Sequence, residues 1–109
     1  MNIDVQKRYT TATEFFELHG SVLMKLAADA ALEVCMKAAE HGLIVSRIEG
    51  GKWHNPGFEA RVDCIWDGVS PYTTLKEAIA NNLKAMDFIA SEQDEHDTFI
   101  VTVYSMGDR

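Results

Sequence analysis

The stretch LAADAALEVCMKAAEHG, residues 26–42, runs directly into LIVSRIE, residues 43–49, and this pair decides the fold class. Small apolar residues recur at helical spacing in the first part, and charged residues occupy the opposite face. Gly42 is expected to end the helix, because glycine readily adopts the left-handed conformation of helix C-termini. The β-branched second part predicts a strand, against which the small-residue face of the helix can pack closely.

A second strand is predicted from Phe58 to Trp66, where apolar residues alternate with mostly charged ones in FEARVDCIW. The alternation predicts one face packed under helices and one mostly charged face left exposed. Gly50 and Gly51 are interpreted as a tight turn that ends the preceding strand, and Lys52 to Gly57 as a loop rich in turn-forming residues.

The remaining elements complete the predicted order. Thr74 and Glu77 have the spacing of a capping box, which predicts a helix start. The sequence TFIVTVY, residues 98–104, is apolar enough for a central strand. The apolar residues of this helix are predicted to form one buried stripe: Leu75, Ala78, Ile79, Leu83, Met86, Ile89 and Ala90.

From Leu26 the predicted order is therefore helix, strand, strand, helix, strand. This order indicates an α+β domain with a small antiparallel or mixed sheet and helices on one face. The domain is expected to span residues 24–109. Residues 1–23 are expected to be an N-terminal extension of unclear role, with a short helix between Tyr9 and His19.

The charge balance limits the possible partners. The 109 residues carry a formal net charge of -7 and have a pI of about 4.9, which disfavours direct binding to DNA or RNA and favours a basic protein. No signal peptide or membrane-spanning stretch is visible, so a cytoplasmic protein with no membrane partner is expected. Cys35 and Cys64 lie in apolar patterns and are interpreted as reduced core residues.

No catalytic, metal or cofactor site is predicted. The histidines are scattered without metal-binding spacing: His19, His41, His54 and His96. His96 lies in an acidic turn and is expected to be exposed. A reactive pair of His54 and Cys64 would require the fold to bring them together, and Cys64 is expected to point inward. Glu59 and Asp63 would lie about 13 Å apart along a strand, too far for a carboxylate dyad.

A binding surface is predicted instead. The loop after Gly51 presents Trp53, His54 and Asn55, and Trp is a common anchor of protein interfaces. Carboxylates on the expected exposed strand face and its flanking loops could pair with the basic residues of a partner. These carboxylates are Glu49, Glu59, Asp63 and Asp67.

Two motifs resemble the colicin-E5 immunity protein family. They are MKLAADAALEVCMKAAEHGL, starting at Met24, and IEGGKWHNPGF, residues 48–58. The resemblance extends to about Met106. It also includes Trp66, Pro71, the pair Asn81-Asn82 and the closing strand Phe99-Ile100.

The resemblance implies a non-catalytic inhibitor that binds a ribonuclease toxin domain that cuts tRNA anticodon loops. Such a protein would occupy the RNA-binding cleft and imitate the RNA with acidic and aromatic side chains. The alternative is an acidic nucleic-acid mimic that inhibits another nuclease, such as a restriction or defence enzyme. A small hydrolase or metal-binding domain is a third class, which metal analysis would test.

Overall fold

The computed structural model describes residues 2–55, 57–69 and 74–106. It confirms the α+β class. Pro56 and residues 70–73, which include Pro71 of the resemblance, lie outside the described ranges, as do residues 107–109. The described elements are, in chain order, β1 (Arg8–Tyr9), α1 (Ala12–Leu18), β2 (Lys25–Ala27), α2 (Ala28–Lys37), a 3₁₀ turn (Ala38–His41), β3 (Leu43–Trp53), β4 (Phe58–Asp67), α3 (Leu75–Glu92) and β5 (Thr98–Ser105).

The five strands form one mixed sheet in the order β1-β2-β5-β3-β4. β1 and β2 are parallel and the other neighbours are antiparallel. β5 lies at the centre, as its apolar sequence predicts. α2 and α3 pack on one side of the sheet, where Ile48, Phe99 and Val101 join the buried core with Ala31 and Val34 of α2. The opposite side, called the open face below, has no helix packed on it among the described elements.

The first predicted helix begins slightly later than expected. Leu26 lies in β2 and pairs with Phe99, so the helical pattern that follows it starts at Ala28. The end is as predicted. Gly42 has φ 72°, and its N–H donates to the carbonyls of Ala38 and Ala39. The capping box of Thr74 and Glu77 at the start of α3 is also confirmed.

The predicted buried stripe of α3 is confirmed at Ala78, Met86 and Ile89 and wrong at its other four positions. Leu75, Ile79, Leu83 and Ala90 are exposed, whereas Asn81 and Asn82 are buried. The reason lies in the sheet. β4 pairs with β3 only as far as Arg47, so within the described ranges no strand lies beside the backbone of Leu43 and Val45 on that side.

The two asparagines replace the missing strand. The Val45 N–H donates to Asn82 Oδ1 (2.9 Å), and Asn81 Nδ2 donates to the Val45 carbonyl (2.8 Å). Asn82 Nδ2 donates to the Leu43 carbonyl (3.2 Å), and the Val69 N–H donates to Asn81 Oδ1 (2.9 Å). Because buried backbone groups need hydrogen-bond partners, polar side chains take the inward positions that the apolar pattern assigned to leucine and isoleucine.

β3 does not end at Gly50 and Gly51, as the turn interpretation required, but continues to Trp53. Both glycines allow a close approach of β4. A Cβ atom on Gly50 would collide with the sulfur of Cys64, and one on Gly51 would collide with the backbone carbonyl of Glu59. Glycine inside a strand often marks such an approach or a bulge, and both are present here.

The bulge lies in β4. Glu49 pairs with Ile65 and Gly51 with Ala60, so Arg61 to Cys64 stand opposite Gly50 alone. The extra residues reset the alternation, and the prediction of one charged exposed face from Phe58 to Trp66 is therefore wrong. Val62 illustrates the change, because it was assigned to the packed face and is 91% exposed.

The segment before Met24 packs onto the same core. Tyr9, Ala12 and Phe15 are buried members of the core cluster, and β1 pairs with β2. The predicted short helix is confirmed as α1 (Ala12–Leu18). The domain boundary at Met24 stays a prediction. No helix in the described ranges is both long and apolar enough to cross a membrane.

Candidate functional site

The open face brings together residues from three strands. Directly paired residues of neighbouring strands project to the same side of a sheet. Glu49 pairs with both Ile65 and Ile100, and Trp53 pairs with Phe58. Because positions 49, 51 and 53 alternate with the core residue Ile48, their side lies away from the helices.

A groove of about 510 Å³ runs along this face at the end of β3. It combines the Glu49 carboxylate, the Lys25 amine and two half-buried aromatic rings. The groove, called the Trp53 groove below, is lined by Val5, Gln6, Lys25, Glu49, Trp53, Gly57, Phe58, Ala60 and Ile100. A concave, largely apolar surface with a few charged groups is the usual form of a specific binding site.

The N-terminal segment forms one wall of the Trp53 groove. Lys25 Nζ donates a hydrogen bond to the Val5 carbonyl (2.9 Å), and this contact holds residues 5 and 6 beside β2. The Gln6 N–H in turn donates to Asp4 Oδ1 (2.9 Å). The extension therefore lies against the candidate site, although it shows no recognisable motif of its own.

Asp97 fixes the backbone at Trp53. The Trp53 N–H donates to Asp97 Oδ1 (2.9 Å), and the Asp97 N–H donates to the Gly51 carbonyl (3.1 Å). Burial alone would raise the pKa of the Asp97 carboxyl. The Trp53 N–H, the Thr98 hydroxyl and the charge of Arg8 outweigh it and hold that pKa below the ordinary value of 3.8. Asp97 is thus a carboxylate that positions the aromatic residue of the groove.

His54 and Glu59 contact each other and not the groove. His54 Nε2 lies 2.7 Å from Glu59 Oε1, and Arg61 Nε lies 3.1 Å from Glu59 Oε2. The hydrogen bond from His54 and the charge of Arg61 lower the pKa of the Glu59 carboxyl. Glu59 pairs with Lys52, so it points to the opposite side of the sheet from Trp53. Asn55 is exposed in the connecting turn.

Asp67 lies at the other end of the open face and already has a basic partner. Arg47 binds it through two atoms, with Nε 2.7 Å from Oδ1 and Nη2 3.3 Å from Oδ2. A second depression of about 410 Å³, called the Asp67 depression below, includes both residues and Tyr104. Asp63 is exposed within the β4 bulge.

The structure therefore divides the predicted site. Glu49 and Trp53 lie together in the Trp53 groove, and Asp67 shares their face at a distance. The expectation that Glu59 lies on that face with Glu49 is wrong, because the bulge turns it away. The sequence reasoning missed Phe58, Ala60, Ile100 and Lys25 as groove residues. The glycine pair before Trp53 was the available signal, since it marks the bulge that brings Phe58 and Ala60 to this side.

One further group of side chains differs from expectation. His96 is buried and not exposed, and it lies beside Cys64 and Glu92. Their donor atoms lie within 4.8 Å of one another and could hold a metal ion. His54 is not the partner of Cys64 that a reactive pair would require, because its ring contacts Glu59.

Known proteins share this sequence over most of its length. The protein family described as Colicin-E5 Imm protein matches residues 24–104. The chain belongs to the colicin-E5 immunity protein family. Its membership confirms the resemblance that the two sequence motifs indicated.

Two relatives match different lengths of this chain. An immunity protein of Burkholderia pseudomallei, CdiI, is 60% identical over 102 residues, which cover 94% of each chain. The colicin-E5 immunity protein of Escherichia coli is 36% identical over 81 residues, which cover 73% of this chain and 98% of that protein. The match to the Burkholderia relative leaves at most seven residues of this chain outside, so it includes most of the N-terminal segment.

Proposed function

We propose that this member of the family is a non-catalytic immunity protein that inhibits a tRNA-cleaving ribonuclease toxin by covering its RNA-binding cleft. The observation that carries the proposal is the Trp53 groove, which Glu49 lines together with the aromatic residues Trp53 and Phe58. An RNA strand offers the same two kinds of group, anionic phosphates and flat aromatic bases. The groove can therefore accept cationic side chains that would otherwise contact RNA.

The net charge supports the same partner. A chain with a net charge of -7 is attracted over long range to a basic cleft, which speeds encounter at low salt. Long-range attraction is screened within about 8 Å at physiological ionic strength, so the close contacts must supply the affinity. An acidic protein is also repelled by RNA itself, so nuclease and inhibitor need not compete for it.

The shape of the domain supports docking through the open face. The molecule measures 42 × 32 × 19 Å, and the open face extends across its five-stranded sheet. A stable toxin–inhibitor interface needs roughly 800 Å² from each partner, which a face of this extent can provide. In this arrangement Glu49 and Trp53 contact the toxin at one end of the open face.

The other predicted contact residues take lesser positions in the proposal. Asn55 and Asp67 lie at the rim, where contacts contribute less because water still reaches them. Glu59 and Asp63 lie off the open face, so a toxin contacts them only if it extends around the β4 edge. Val5 and Gln6 add a wall from the segment that precedes residues 24–104, the range of the family match, and we expect this wall to influence which toxin is accepted.

A binding and cleavage experiment tests the proposal. The purified chain is titrated by calorimetry against the toxin domain encoded beside its gene and, separately, against the ribonuclease domain of colicin E5. Cleavage of tRNA by each toxin is measured in parallel. We expect nanomolar binding to the neighbouring toxin, loss of tRNA cleavage at one equivalent, and weaker affinity at high salt.

Two outcomes would count against it. Binding that leaves tRNA cleavage intact would exclude occupation of the RNA-binding cleft. Binding to neither toxin, with inhibition of a restriction or defence nuclease instead, would favour the alternative acidic mimic. A Lys52→Glu variant is the charge control, because Lys52 points to the opposite side of the sheet from the groove residue Trp53, and its added negative charge should change affinity little.

A further inference from the structure

Three potential metal ligands meet behind the β4 bulge. Cys64 comes from the bulge itself, Glu92 is the last residue of α3, and His96 follows one helical turn later. The Cys64 sulfur, a Glu92 oxygen and a His96 ring nitrogen all lie within 4.8 Å of one another. Tetrahedral zinc holds such donors about 3.3 to 3.8 Å apart, as its bond lengths require, so a small inward shift completes the geometry.

The His96 ring is the second observation that points to a ligand. The residue is only 5% exposed, and its Nδ1 atom lacks a hydrogen-bond partner. Glu92 Oε1 lies 3.1 Å away, but off the direction in which a ring N–H points. A buried polar atom without a partner destabilises the folded state, and it is rare in folded proteins. Coordination of a cation would satisfy it.

We propose that Cys64, Glu92 and His96 bind one Zn²⁺ ion, with a water molecule as the fourth ligand. Thiolate and imidazole together select zinc over magnesium or calcium, which prefer oxygen ligands. Glu92 is partly exposed and gives the ion and the water a route to the cluster. The proposal does not depend on the toxin-binding function.

The surroundings of the sulfur fit a cation. The sulfur is buried, and the charges that act on it, those of Glu92 and Asp63, are both negative. The Gly50 backbone N–H donates a hydrogen bond to the sulfur. Hydrogen bonds of this kind commonly orient thiolate ligands of metals. A bound ion would tie the β4 bulge to the end of α3.

Cobalt provides the direct test on the full chain. After treatment with a chelator, the protein is titrated with Co²⁺ and then with Zn²⁺. We expect one ion per chain, a near-ultraviolet charge-transfer band from the cobalt–thiolate bond, and its loss when Zn²⁺ displaces cobalt. Zinc at a hundredfold excess over its Kd should raise the melting temperature by roughly 10 °C.

The two buried cysteines give a matched pair of variants. Cys64→Ser should abolish the band, and His96→Asn should weaken cobalt binding at least tenfold. Cys35→Ser removes an equally buried thiol in α2, outside the cluster, and should keep the band and the stoichiometry. Circular dichroism checks that each variant is folded.

Two results would overturn the proposal. The first is a wild-type chain with no thiolate band at saturating cobalt, a result that requires no variant to fold. The second is a band that Cys35→Ser removes and Cys64→Ser keeps. The cobalt spectra are measured without the toxin, so a failure of the metal proposal is distinguishable from a failure of the proposed toxin binding.

Discussion

The two ends of the open face carry similar residues in different environments. At one end Glu49 shares the Trp53 groove with two aromatic rings. At the other end Asp67 lies near Tyr104, but Arg47 already binds both of its oxygens. A carboxylate that is paired within its own chain gains little from a second cation. The contrast teaches that the acidic residues of a sequence are not equivalent binding groups, even on one face.

The two ends are also built differently. The Trp53 end depends on the close approach of backbone at Gly51 and on the carboxylate of Asp97. The Asp67 end depends on the buried amides of Asn81 and Asn82. Substitutions at each end should therefore separate effects on stability from effects on binding.

The largest expected effect is a loss of folding stability from a substitution at the Trp53 end. Gly51→Ala places a methyl group against the Glu59 carbonyl, so β3 and β4 must separate, and the free energy of unfolding should fall by about 3 kcal/mol or more. Gly42→Ala is the control, because Gly42 has φ 72° but open space around it, and should cost about 1 kcal/mol. Urea denaturation measures both. Equal losses would contradict the close approach.

The next largest effect is on affinity. Trp53→Ala should weaken binding of the neighbouring toxin by about 2 to 4 kcal/mol, or roughly 30- to 1,000-fold in Kd, because the aromatic anchor of the groove is lost. Tyr104→Ala removes an exposed aromatic residue at the other end of the face and should change Kd less than about threefold. Calorimetry measures both. A larger effect at Tyr104 would move the centre of the interface to the Asp67 depression.

Neutralising single carboxylates sharpens the comparison. Glu49→Gln should raise Kd about 30-fold, since a desolvated cation of the toxin loses its partner at a cost of about 2 kcal/mol. Asp67→Asn should change Kd less than about twofold, because Arg47 already occupies that carboxylate. Titrations at two salt concentrations separate local pairing from general loss of charge. Similar changes in Kd at both positions would show that pairing with Arg47 does not reduce the contribution of Asp67 to toxin binding.

The smallest expected effect is the pH dependence of the Asp97 contact. The pKa of Asp97 is lower in the folded chain than its ordinary value of 3.8, so its contribution to stability is present above that value. The contribution is lost as pH falls through the folded pKa. Asp97→Asn should thus reduce the free energy of unfolding at pH 7 slightly, since the side chain is 54% exposed, and by less at pH 2.5. A reduction that grows toward low pH would contradict this assignment.

Local patterns predicted most of the fold. The helix before Gly42, the capping box of α3 and the central position of β5 depend on residues close in sequence, and all are confirmed. Asn81 and Asn82 point inward because β4 stops short of Val45. The periodicity of α3 carries no information about where β4 ends. Helical periodicity therefore predicts leucine and isoleucine on the buried side of α3. The unpaired backbone of β3 requires hydrogen bonds there, so asparagines take those positions.

The candidate site was predictable only in part, for the same reason. Glu49 and Trp53 were identified by residue type and loop position, and the structure places both in one groove. Phe58 and Glu59 were assigned to the wrong sides because a bulge resets the alternation of the strand. Ile100 comes from a strand far away in sequence, so only the pairing of β3 with β5 brings it to the groove.

The bulge in β4 has a consequence for the behaviour of the protein in a crowded cell. β4 is an edge strand, and an uninterrupted edge is a template on which other chains can add strands and aggregate. Here the ladder is broken at Arg61 to Cys64, where the carboxylate residue Asp63 is exposed. The opposite edge, β1, is only two residues long. Both edges therefore resist strand addition, and the protein can accumulate ahead of its partner without self-assembly along the sheet.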